Sequence, residues 1–106
     1  MTVENRRHTR LAKPLEGMWR GLSGAAPCRI SDISWGGCFV QTVVTPPVGT
    51  ETVVTVRALP SDGRSLEIPG RVRYVEAAMG FAMEFDPLTA EQIRGLTELL
   101  GEPPTQ

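Results

Sequence analysis

From Pro14 onward, apolar residues come in short runs that alternate with polar ones and are punctuated by glycine and proline, a rhythm that predicts β-strands. The first candidate is Leu15 to Leu22, broken at Ser23-Gly24. The second, Cys28 to Ile33, is closed by Ser34-Trp35-Gly36-Gly37. The third runs from Cys38 to Val44 and stops before Pro46-Pro47, which lack the N–H that a ladder requires. The fourth, Glu51 to Leu59, carries Val53, Val54, Thr55 and Val56 in succession, a β-branched run. Pro60-Ser61-Asp62-Gly63 follows with hairpin-turn chemistry. In the fifth, Leu66 to Val75, alternation sets Leu66, Ile68, Val72 and Tyr74 on one face and Glu67, Arg71 and Arg73 on the other, as expected of a sheet with one wet side. The sixth is Met79 to Phe85.

The period then changes. Thr89 followed three residues later by Gln92 is a capping-box pattern, and Glu91 lies where the helix dipole favours an acid. Ile93, Leu96, Leu99 and Leu100 fall on one stripe, Gly101 suits a left-handed cap, and Pro103-Pro104 bars continuation. An apolar stripe must be buried, and the β domain is the surface available for it. Six short strands in one small domain predict a mainly β fold: an antiparallel sheet closed into a barrel, with the helix plugging or flanking it. A small sandwich has a similar pattern.

Length and charge narrow the class. A chain of 106 residues holds a single core, and an apolar fraction of 41% is that of an ordinary folded chain. We divide it into a flexible basic arm (1–13), the barrel with its helix (14–101) and a short tail (102–106). No apolar run approaches the roughly 20 residues of a bilayer span, and the polar N-terminus does not resemble a signal peptide. A cytoplasmic location is the expectation. The net charge of −1 speaks against a general DNA, RNA or anionic-membrane binder. Basic residues are concentrated early, however: Arg6, Arg7, Arg10, Lys13 and Arg20 face only Glu4 and Glu16 among the first twenty residues. Cys28 and Cys38 have no companions at zinc spacing, and in a reducing compartment they read as small buried side chains.

Two short motifs carry candidate chemistry. Arg6 and Arg10 are four residues apart, with Arg7 and His8 between them. On a helix the pair would share a face; in a mobile arm the spacing matters less, because the arm can fold over what it binds. Guanidinium groups fork onto phosphates, pair with guanine O6 and N7, and stack on purines. A solvated basic N-terminus is the plainer reading. Asp32 and Ser34 are two apart, so in extended chain both side chains leave one face. The acid brings acceptors and the hydroxyl both donates and accepts, a set that can read the donor-rich N1–N2 edge of guanine. Gly36-Gly37 permits positive φ or the approach of a flat ligand. A strand-ending Asx turn is the plainer reading here. Trp35 is expected to cover the fold, with a partner contact or a ligand shield as alternatives. No nucleophile stands beside an activating base, no glycine loop cradles phosphate ahead of a helix, and no metal cluster is apparent, so an enzyme is not expected.

Taken together and in this order, Arg-x-x-x-Arg and Asp-x-Ser-x-x-Gly resemble the PilZ domain, the bacterial receptor module for cyclic di-GMP. The likeness extends over nearly the whole chain, through Pro47-Val48-Gly49-Thr50, Arg71-Val72-Arg73-Tyr74-Val75, a Gly-and-Phe strand and the Leu88-Thr89-Ala90-Glu91-Gln92 helix opening. The resemblance implies a barrel over whose face the arm closes on the ligand. It implies contacts at Arg6, Arg10, Asp32, Ser34 and Gly37, with Arg7 and Gly36 as adjacent candidates. It aligns Tyr74 with an aromatic that covers the ligand in some members, whereas the alternation pattern puts Tyr74 in the core. Family members commonly carry Gly-x-Gly where this chain has Gly80-Phe81-Ala82. Asn5 stands where a basic residue accompanies binding of a stacked ligand dimer, which implies one ligand per site. The implied role is a receptor without a cofactor that signals to an effector protein. The alternative is an adaptor of the same fold that binds protein without nucleotide.

Overall fold

Strands appear where alternating residues can share one interior, and in the computed structural model six of them close on each other. Residues 13–22 and 24–101 are described. The order is β1 (Leu15–Gly21), β2 (Gly24–Ser31), β3 (Gly37–Gln41), β4 (Glu51–Val56), β5 (Leu66–Glu76), β6 (Gly80–Phe85) and α1 (Ala90–Leu100). The strands pair antiparallel in the ring β1-β2-β3-β6-β5-β4, so the sheet is a closed barrel and not a sandwich. Inward residues alternate along each strand: Ile30 on β2, Val40 on β3, Val54 and Val56 on β4, Ile68 and Val72 on β5, Phe81 and Met83 on β6. Trp19 of β1 meets Phe81 edge-on, with ring centroids 5.3 Å apart at 80°. Cys28 and Cys38 are free thiols packed into or against this core. Burial pushes the Cys28 thiol up to about 11 and Cys38 further in the same direction.

The helix packs its apolar side against the barrel core. Thr89 and Gln92 form the reciprocal capping box, and Gly101 ends the helix in the left-handed conformation at φ 82°. Leu96 and Leu100 are buried, whereas Ile93 and Leu99 of the expected stripe are half-buried. A methyl built on Gly95 would lie 2.8 Å from Leu66 Cδ1, a measure of how closely α1 lies on the start of β5. Ser61 and Glu98 tie the β4–β5 turn to the helix, with Ser61 Oγ donating at 2.9 Å.

Several expected boundaries shift, each for a local reason. β2 begins at Gly24, four residues early, because Gly21 to Leu15 of β1 pair with Gly24 to Ile30. β3 ends at Gln41; Val43 and Val44 have strand-like composition but are exposed. β4 ends at Val56, yet Leu59 is still buried where the chain folds back, its N–H donating to Arg64 O at 2.8 Å. Met79 lies in the turn ahead of β6. The largest correction concerns Tyr74. Val72 pairs with Met83 and Tyr74 with Ala82, so Arg73 is an extra residue without an opposite number, a β-bulge. The bulge resets the alternation, turning Tyr74 outward and Val75 toward the core.

Candidate ligand-binding site

The Asp32–Gly37 turn is built by the end of β2 and the start of β3. Asp32 is exposed and takes φ 50°, a left-handed conformation that aspartate tolerates better than most residues. The chain there is therefore not extended, as the shared-face argument assumed. Ile33 is buried and anchors the middle of the turn. Ser34 then closes it: its N–H donates to Gly37 O at 2.9 Å and its hydroxyl to the same oxygen at 3.3 Å. β6 fastens the far side, with Phe85 N–H donating to Gly36 O at 2.8 Å and Gly37 paired with Glu84.

Of the two readings of Gly36-Gly37, positive φ does not hold for either glycine; Asp32 takes it instead. The need at Gly37 is steric, because a Cβ there would run into the carbonyl oxygen of Met83. Gly36 is exposed, and a Cβ on it would face open space. The structure thus brings Asp32, Ser34, Gly36 and Gly37 together on one rigid turn. Arg6, Arg7 and Arg10 lie outside the described residues, as does the tail at 102–106. Trp35 packs against the core, and its indole N–H is shielded from solvent.

Beside the turn, ladder register lines up one outward row across four strands: Ser31 of β2, Phe39 of β3, Ala82 of β6 and Tyr74 of β5. Phe39 and Ala82 are half-buried and Tyr74 is 53% exposed, so the row forms a shallow apolar strip. Sequence reasoning missed Phe39 because nothing local distinguishes it; only the register places it between Ser31 and Ala82. A second outward row is charged. Gly37, Glu84, Arg71 and Glu51 are successive ladder partners, with Arg71 Nη2 3.4 Å from Glu51 Oε2 and Arg73 Nη1 2.6 Å from Glu84 Oε1. The described residues contain no group of three His, Cys, Asp or Glu that could hold a metal ion.

Comparison with protein-family models finds a match to the PilZ domain over residues 4–102. The chain belongs to the PilZ domain family. No curated protein matches the chain. PilZ domains are cyclic di-GMP receptors and not enzymes, and the matched span includes both the arginines and the turn. Within this PilZ domain the departure at Gly80-Phe81-Ala82 is accommodated, since the Ala82 methyl faces outward between Phe39 and Tyr74. The outward turn of Tyr74 also removes the core reading of that residue and leaves it on the same side of the sheet as Phe39. No helix among the described residues is long and apolar enough to cross a membrane.

Proposed function

We propose that this PilZ domain is a cyclic di-GMP receptor that orders its arginine arm on the ligand and passes the signal to a partner protein in the cytoplasm. The observation that carries this reading is the rigid Asp32–Gly37 turn, fastened to β6 and flanked by the Phe39–Ala82–Tyr74 strip. A base approaching it meets the exposed Asp32 carboxylate as an acceptor, the open side of Gly36, and an apolar surface for its face. Arg6 and Arg10, with Arg7 beside them, supply the cationic half by gripping phosphates and guanine edges. One ligand occupies the site, in keeping with Asn5 ahead of the arginines. No cofactor takes part, and ligand binding shifts a population of arm conformations.

Calorimetric titration with cyclic di-GMP tests the proposal. Wild type releases binding heat at micromolar protein, and Arg10→Ala loses at least ~1 kcal/mol of affinity with its charge-assisted hydrogen bonds. Absence of both heat and chemical-shift change in wild type refutes it. One observation favours a second reading, an adaptor that binds protein without nucleotide: Val43, Val44, Val48 and Met79 are exposed apolar residues, and Thr42 N–H donates to Met79 O at 3.2 Å. Capture of the same partner with and without cyclic di-GMP would support it.

A further inference from the structure

Arg73 is the one residue of β5 that the ladder does not require. Without it, Val72 would face in, Tyr74 out and Val75 in by simple alternation. A bulge of this kind re-aims a side chain, and here the side chain has a destination: Arg73 Nη1 lies 2.6 Å from Glu84 Oε1, the shortest ion pair among the described residues. The regular ladder partner of Glu84 is Arg71, but its guanidinium is engaged with Glu51 on the opposite side. Glu84 in turn is the ladder partner of Gly37, and the next residue, Phe85, donates to Gly36 O. A carboxylate therefore stands immediately beside the glycine edge of the turn. β3 and β5 flank β6 on opposite sides, so the Arg73 contact draws that carboxylate toward β5 and away from the turn.

We propose that Arg73 is a positioning residue for the same site: it neutralises Glu84 and holds its carboxylate off the Gly37 edge, so that a doubly anionic cyclic dinucleotide can settle on the turn. This rests on the receptor reading above. Arg73 need not touch the ligand. The unscreened charge of Glu84 near a phosphate, in largely aqueous surroundings, corresponds to about three- to tenfold in affinity.

The experiment is calorimetric titration of the full chain with cyclic di-GMP at low and high salt, with Arg73→Ala, Arg73→Lys, Glu84→Gln and the double variant Arg73→Ala/Glu84→Gln. Arg73→Ala binds about three- to tenfold more weakly at low salt, and the gap narrows as salt is added. Arg73→Lys stays near wild type, Glu84→Gln binds at least as tightly as wild type, and the double variant recovers. The inference is overturned if wild type binds and Arg73→Ala binds equally well, or if Glu84→Gln does not relieve the loss. Should Arg73→Ala fail to fold, Glu84→Gln alone decides, since weaker binding by that variant contradicts the inference. A wild type that binds nothing refutes the receptor reading itself, a result distinct from the others.

Discussion

Asp32 combines two properties that a substitution series can separate: a left-handed backbone at φ 50° and an exposed carboxylate. Asp32→Ala removes the acceptor and also places a β-carbon without local hydrogen bonding in the left-handed region, at a cost of about 1 kcal/mol in stability. Asp32→Gly removes the same acceptor but fits the conformation; relief of strain and the added entropy of the unfolded chain offset each other within roughly 1 kcal/mol. If the carboxylate accepts from a guanine edge, both variants lose a charge-assisted interaction of about 1.5–3 kcal/mol, or roughly 10- to 150-fold in dissociation constant. Urea unfolding measures the first quantity and calorimetric titration with cyclic di-GMP the second. The expected result is equal affinity loss in both variants, with Asp32→Ala alone less stable. Wild-type affinity in Asp32→Gly would refute the role given to the carboxylate and assign the effect to turn shape.

Two further outcomes test the fold. Leu96 is fully buried between helix and barrel, so Leu96→Ala lowers unfolding free energy by about 2–5 kcal/mol; a loss under about 1 kcal/mol by urea titration would mean that α1 contributes little to the core. Both thiols hold their protons more tightly when folded than when unfolded, because burial disfavours the thiolate. The contribution of Cys28 is complete well below pH 9.0 and is lost as pH rises through about 11, where the folded thiol is half-ionised, and that of Cys38 is lost over a range extending to higher pH. Thiol reagents accordingly react slowly at pH 8 until denaturant is added, and prompt labelling of the native protein would contradict this.

The barrel was legible because its signals are local. The Val53–Val56 run and the Thr89–Gln92 box each depend on residues next to one another, and each appears in the fold. Boundaries failed where the partner strand decides. Ala25, Ala26 and Pro27 have little strand character, yet β1 recruits them into the ladder, whereas Val43 and Val44 have it and gain no place in a strand. Tyr74 failed for the same reason: perfect alternation on β5 does not reveal that β6 opposes Val72 and Tyr74 with adjacent residues. At the site, the composition of the turn was readable but its mechanics were not. The need for Gly37 arises from Met83, forty-six positions later in the chain, and the positive φ falls on Asp32.

The two tryptophans divide the molecule optically. Trp19 is buried against Phe81 in the barrel, and its emission follows the integrity of the interior. Trp35 sits half-buried in the very turn that carries Asp32, Ser34 and Gly37, where a neighbouring base would quench or shift it. One unlabelled chain thus holds an internal standard for folding and a separate chromophore in the Asp32–Gly37 turn.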